Sequence, residues 1–367
     1  MQPAPDTHSS NGSRRRAVGF LAVALLVVWA PRPASAWSDP VRRLIIEEAV
    51  RRLPDPMRGL LDGPTHLGRL QDAAAAPADD ADTPGAPYQP DQDPRRVFRI
   101  DAAAGELPAF ADIPRRQAEA EAALGAETVR RMGTAPWAAT DALDRLAHAL
   151  TDGRTDAIFA SAGDLARIVA DLHMPLHTTV NHDGQLTGNH GIGGVLAVGL
   201  IGRRLDACRK AVRQDRQVAR YLADPADSLF NWLATAHGRT APILEADTAA
   251  RNRSTYNPAQ HPEDLASPDA AKPYYEALAA ELARRGAPEA AALRDAAAHL
   301  ADLLYTAWVR AGKPLTLQPP DEDEDAGASP PYWLIALAAF MLFMLFWPRR
   351  QARPGDGDKG SAGSDPP

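Results

Sequence analysis

From about Pro40 to Pro314, apolar residues recur at spacings of three and four, and a proline or glycine closes most of the runs. That spacing fits one face of an α-helix and not the two-residue alternation of a strand, so the chain is confined to helices packed on helices. Asp156 to His173 places Ile158, Ala162, Leu165, Val169 and Leu172 on one face, and Pro175 stops it. A second helix is predicted from Pro136 through Leu143, Leu146 and Leu150 to Gly153. A third runs from Glu289 to Arg310 with Leu293, Leu300, Leu304 and Trp308 inward, and Gly312 and Pro314 follow it. Leu44, Ile45, Ile46, Val50 and Leu53 predict a first helix from about Pro40. Aromatic residues at 6% and frequent alanine agree with an all-α fold, and the 33 prolines belong in connections and tails. Pro77 to Pro94 reads as a long loop, Thr178 to Gly194 as a second one rich in Gly, Asn and His, and no repeat is visible.

Two segments fall outside this helical domain. Residues 1–36 read as an export signal: Arg14, Arg15 and Arg16 form a cationic start, Ala17 to Ala30 an apolar core, and Ala34-Ser35-Ala36 a small-residue cleavage site. Ordinary export is expected, and cleavage there makes Trp37 the first mature residue. Tyr332 to Trp347 is sixteen residues without a charge. As a helix it would span about 24 Å, near the ~30 Å of a bilayer core. Arg349, Arg350 and Arg353 follow it, which points the C-terminus to the cytoplasm. The expected order is a signal over 1–36, a helical domain over 37–315, an acidic Pro-rich linker over 316–331 that contains Asp321 to Asp325 (DEDED), a membrane helix over 332–348 and a cytoplasmic tail over 349–367. The domain would then face the periplasmic or extracytoplasmic side.

A net charge of −7 argues against general nucleic-acid coating, which needs a basic surface. One cysteine, Cys208, excludes an internal disulfide and a cysteine-rich metal site; it reads as a small buried apolar residue. The densest chemistry is the stretch from Asp171 to Gly191, with His173, His177, His182 and His190 among Asn181, Asp183, Gln185, Thr187 and Asn189. A carboxylate at a helix end with imidazoles two and six residues on can converge on a divalent cation, while histidines in polar loops also serve as plain hydrogen-bonding groups.

The run ADLHMPLHTTVNHDGQLTGNHGI (170–192) resembles the signature region of the zinc-dependent phospholipase C and single-strand-specific nuclease superfamily. Trp37 after the cleavage site, PRRVFRID (94–101), Ile113-Pro-Arg-Arg, Thr134-Ala-Pro-Trp137 and Thr306 to Pro314 resemble further parts of that family in order, so the likeness spans about Trp37 to Pro314. It implies an all-α domain with a three-zinc cluster in a cleft. An N-terminal tryptophan, through its amine and carbonyl, would supply ligands, and a metal-activated water would cleave phosphodiesters of phospholipids or nucleic acids.

Position by position, the resemblance keeps Trp37, Asp171 and His177 as ligand positions. It puts Arg42, Arg96 and Arg167 where the family has histidines, and Gly193 and Ala197 where it has a histidine and a carboxylate. An early aspartate ligand falls on Asp79 or Asp80. A guanidinium has no lone pair for a metal, and glycine and alanine offer nothing. The expectation is therefore a tethered, non-catalytic relative without zinc, whose enzyme status stays open. Arg42, Arg96 and Arg167 would stand in for the cations, with Arg167 and Arg42 meeting Asp171. Such a cleft could bind an anionic group such as a phospholipid head group, or a protein partner, or be sealed by its own ion pairs. The alternative is an active metal-dependent phosphodiester hydrolase, with zinc on a site rebuilt from His173, His177, His182 and His190. His173 is expected to tie the helix end to the loop, Asn181, Gln185, Thr187 and Asn189 to fix the loop, and Trp137, Trp232 and Trp308 to lie in the core; His148, His237 and His299 receive no role.

Overall fold

A computed structural model describes residues 37–75, 93–102, 110–201, 204–215, 217–254, 256 and 271–317. The chain divides into two units at 318/319, and the second lies outside the described residues. Among the described residues all regular structure is helical. The signal (1–36), Asp79, Asp80, most of the linker and the Tyr332–Trp347 stretch lie outside them. No helix among the described residues is long and apolar enough to cross a membrane.

The helices are α1 (Asp39–Arg51), α2 (Asp55–Leu61), α3 (Pro64–Ala75), α4 (Gln117–Leu124), α5 (Ala126–Met132), α6 (Ala135–Asp152) and α7 (Thr155–Leu172). They continue with α8 (Ile192–Gly194, running on as a π-helix over Val195–Leu200), α9 (Leu205–Arg213), α10 (Pro225–His237), α11 (Thr240–Arg253), α12 (Lys272–Arg284) and α13 (Pro288–Arg310). Proline occupies the first turn of α1, α6, α10, α12 and α13, where its missing N–H costs nothing. The loop expected over 178–194 is shorter than its composition suggests, because α8 already begins at Ile192, with Asp183 accepting from Gly191 and Gly193 N–H at its start.

α6 and α7 form a hairpin that turns at Gly153, whose φ of 74° ends α6 in the left-handed conformation. α3 lies against α7 at Gly163, where a Cβ would come within 2.5 Å of Ala73 Cβ. α13 is the central strut and touches α1, α6, α7, α9, α11 and α12. Its inner face carries Leu293, Leu300, Leu304 and Trp308, all buried.

One irregular segment matters most. Residues 93–101 thread between the α5–α6 junction and the 3-10 turn Pro175–Thr178. Arg99 N donates to Met132 O at 2.7 Å, Thr134 N to Pro94 O at 2.6 Å, and Phe98 N to His177 O at 3.1 Å. Gly133 permits the approach, since with φ 95° a Cβ there would lie 2.2 Å from Val97 O. Phe98 then anchors the segment in an aromatic cluster with Phe110, Trp137 and Phe230, at centroid distances from 5.5 to 6.3 Å.

Candidate functional site

Residues far apart in the chain meet at the C-terminal end of α7. Trp37 is fully buried and donates its indole N–H to Ala170 O at 2.8 Å. Asp171, also fully buried, accepts from Arg96 Nε at 2.5 Å. The threaded segment that carries Arg96 is fixed by the hydrogen bonds above, so this guanidinium is delivered by the backbone. His177 donates Nδ1–H to the Arg96 carbonyl at 3.1 Å, which leaves its Nε2 with the lone pair.

Burial pushes the Asp171 carboxyl upward, but the charge and hydrogen bond of Arg96, with the charge of Arg42, hold it below its ordinary value. Burial pushes His177 down to about 4. His177 is therefore neutral at pH 7, and Arg96 and Arg42 carry the compensation there. Burial also lowers Arg42, and the crowding of Arg96 and Arg167 adds to this while Asp171 and Asp39 oppose it. Arg42, Arg96 and Arg167 thus stand within one electrostatic neighbourhood around Asp171.

The pairing inside it differs from the sequence expectation. Arg167 does not donate to Asp171; it donates to Asp164 Oδ1 at 2.5 Å, one turn in the other direction. Arg145 donates to the same carboxylate at 2.6 Å, and Arg95 is a third partner. Burial raises Asp164, Arg167 and Arg95 lower it, and the net shift is downward. Asp171 takes Arg96 instead, because the 93–101 segment crosses over the end of α7. Asp171 Oδ1 and Arg167 Nε are among the buried atoms that make no hydrogen bond among the described residues.

Gly193 lies in α8, where its N–H caps onto Asp183 Oδ1 at 3.1 Å, and Ala197 lies in the π-helical stretch that follows. The four loop-region histidines do not converge. His173 is held at Val169 O and His299, His182 at Val180 O, and His190 at Asp183. Among the described residues, no group of three His, Cys, Asp or Glu side chains could hold a metal. A zinc cluster does not fit this set: the one buried carboxylate it would need is already occupied by a guanidinium.

His173 does not reach the loop. Its Nδ1–H donates to Val169 O at 2.8 Å, and its Nε2 lies 2.7 Å from His299 Nδ1, which ties α7 to α13. Burial lowers His173 to about 4 and His299 to about 2. Trp232 is half-buried rather than core, and stacks on His299 at 3.9 Å and 6°. Trp137 and Trp308 are buried, as is Cys208, whose thiol burial raises to about 11. Asn181, Gln185 and Thr187 hydrogen-bond within the loop.

A second buried network has no counterpart in the sequence reading. Asp247 on α11, fully buried, accepts from Arg251 Nε at 2.7 Å and Asn189 Nδ2 at 2.8 Å, and from the Tyr274 hydroxyl of α12. Burial beside that carboxylate raises the Tyr274 pKa. Arg251 also donates to the carbonyls of Asn189 and His190. This staple pins the far end of the loop. Its sequence signal, an Asp and an Arg four apart on a helix, is indistinguishable from a solvated surface pair.

No protein-family model, curated protein or solved structure matches the chain. Fold and site together define an all-helical protein built around a buried arginine–aspartate centre.

Proposed function

We propose that the chain is an exported, membrane-tethered and non-catalytic relative of the zinc-dependent phospholipase C and nuclease hydrolases, in which ion pairs occupy the place of the metal cluster. The observation that carries this reading is the Arg96–Asp171 contact: a guanidinium lies on the carboxylate that the resemblance assigns to two metals. The gathering of Trp37, Arg42, Arg96, Arg167, Asp171 and His177 at one end of α7 supports the same reading, since the resemblance assigns all six to one cluster. A permanently charged guanidinium repels a divalent cation as well as blocking its ligand.

Of the uses such a centre could have, a structural seal is favoured over anion capture. The pairing favours the seal because Arg96 is turned onto Asp171 and Arg167 onto Asp164, away from an incoming anion. The tether rests on the Ala34-Ser35-Ala36 site and the Tyr332–Trp347 stretch of the sequence.

Elemental analysis and zinc titration of the purified full chain test the central point. Substoichiometric zinc and no phosphodiester hydrolysis are expected. Roughly two or three tightly bound zinc ions per chain, or turnover that a chelator abolishes, would overturn the reading. Phosphate titration followed by thermal unfolding separates the seal from an anion site, because a bound anion raises the midpoint by mass action and a sealed centre leaves it fixed.

A further inference from the structure

About eight to nine ångströms along α1 from Arg42, at Glu47 and Glu48, the surface has a different character. Among the described residues, 204–221 carry five Arg or Lys and two Asp, with Glu47, Glu48 and Asp302 of neighbouring helices against them, within a protein of net charge −7. Helix α9 occupies the middle of this stretch. Its apolar side, with Cys208 and Val212, is buried against α13 and α1. Its other side leaves Arg204, Lys210 and Arg213 exposed. Arg213 and Arg209 reach back to Glu47 and Glu48 and are thereby held in position, whereas Arg204 and Lys210 form no ion pair among the described residues. Beside them lies an open hollow of about 550 Å³ lined by Asp206, Arg209, Lys210, Arg213 and Gln214.

The segment after α9 adds an apolar component. Val218 is 59% exposed and Tyr221 50%, two of the four large hydrophobic side chains that stand exposed among the described residues. They are not on a loose strand. Ala219 N donates to Arg52 O at 2.9 Å, Arg220 N to Asp302 Oδ1 at 2.7 Å and Leu222 N to Thr306 Oγ1 at 3.0 Å, so the backbone is fastened along α1 and α13. Fold stability gives no reason for fixing two apolar tips in water beside a row of cations.

We propose that this face, formed by α9 and residues 217–222, is a docking surface for an anionic phospholipid bilayer. Cations on an exposed helix face are attracted to anionic head groups, and a tyrosine and a valine held among them reach the interfacial layer, where an aromatic ring with a polar tip is at home. The hollow at Lys210 accommodates a head-group phosphate. A protein partner fits less well: two separated apolar tips fall short of the desolvated core that a specific interface of ~1,000 Å² or more is built around. The proposal rests neither on the resemblance nor on the Arg96–Asp171 centre, and it is independent of the Tyr332–Trp347 segment.

The test is acylation of Lys210 by a water-soluble reagent, read by mass spectrometry on the full chain. The chain is mixed with vesicles of phosphatidylcholine alone or of phosphatidylcholine with about 30% phosphatidylglycerol. The anionic vesicles should slow labelling of Lys210 at least about three-fold, and about 0.5 M salt should restore it. Val218→Ser with Tyr221→Ser should weaken the protection while leaving the thermal midpoint unchanged, because both side chains are exposed. Equal labelling in the two vesicles would overturn the proposal. Equal protection by soluble polyaspartate would also overturn it, by assigning the face to an acidic polypeptide.

Discussion

Among the described residues two aspartates are fully buried, and they sit in opposite kinds of surroundings. Asp247 is satisfied on both oxygens by Tyr274, Arg251 and Asn189, so one carboxylate faces three donors with little charge to spare. Asp171 accepts one hydrogen bond, from Arg96, and leaves Oδ1 without one among the described residues, yet Arg42, Arg96 and Arg167 crowd its neighbourhood. The first arrangement is a complete hydrogen-bonded staple that joins a loop to two helices. The second supplies more charge than hydrogen bonds. Under the proposed function, a carboxylate standing where the resemblance puts metal ions would need just that: positive charge at close range, with fewer directional bonds. The contrast favours reading the Asp171 region as a converted centre and the Asp247 region as architecture.

The same substitution at both sites would break or sharpen this contrast. Asp247→Asn leaves its amide oxygen to Arg251 and Asn189, turns its N–H toward the Tyr274 hydroxyl and strands the charge of Arg251, and should cost roughly 4–5 kcal/mol in denaturant unfolding. Asp171→Asn keeps an acceptor for Arg96 but strands its charge, and should cost roughly 3–4 kcal/mol. Equal costs, or the reverse order, would mean that the two aspartates play one role. Replacing both partners separates them further. Arg96→Met with Asp171→Leu should cost about 1–2 kcal/mol less than Asp171→Asn, because the buried charge of Arg96 leaves together with that of Asp171. Arg251→Met with Asp247→Leu should remain as costly as Asp247→Asn, since Tyr274 and Asn189 lose their acceptor.

Acid should act on the Asp171 side. His177 and His173 are held near 4, well below the ordinary value of 6.5, because burial disfavours their charged forms. Between these limits the unfolded chain binds protons that the folded chain refuses. Their contribution is thus complete above about pH 6.5 and is lost as pH falls toward 4, at up to ~1.4 kcal/mol per pH unit for each. Asp171, whose value is depressed, adds a further loss only below the usual carboxylate range. His177→Gln should flatten the slope between pH 6 and pH 4.5 by about one proton. A slope unchanged by that substitution would show that His177 titrates normally in the folded state.

The sequence made the helices legible because periodicity and punctuation are local. The helix predicted from Asp156 to His173 runs from Thr155 to Leu172, and that from Glu289 to Arg310 starts one residue earlier. Which positions gather at the end of α7 was legible only through the resemblance, since no local pattern ties Trp37 or Arg96 to Asp171. Which arginine takes which aspartate was not legible. Helical spacing offers Arg167 both Asp164, three residues before it, and Asp171, four after. The choice is made by residues 93–101, whose path depends on Gly133, on the Phe98 cluster and on pairing with His177. Those are tertiary facts. The His173–His299 contact and the Asp247 staple escaped for the same reason: burial, and not residue type, turns an ordinary polar pair into a structural one.

Arg167 gives the smallest expected effect and the sharpest division between the two possible pairings. Its guanidinium bonds Asp164, which keeps Arg95 and Arg145 when Arg167 is removed. Arg167→Ala should therefore cost about 1 kcal/mol, chiefly the packing of its buried stem and one of three charge-assisted bonds. Were Arg167 the partner of Asp171, its loss would strand a buried carboxylate at a cost of roughly 3–5 kcal/mol. A double-mutant cycle decides the matter without relying on absolute values. Arg167→Ala should couple with Asp164→Asn and add independently to Asp171→Asn, within about 0.5 kcal/mol. Strong coupling to Asp171 and none to Asp164 would return Arg167 to the carboxylate one turn ahead of it, and would make Arg96 a neighbour of Asp171 rather than its main partner.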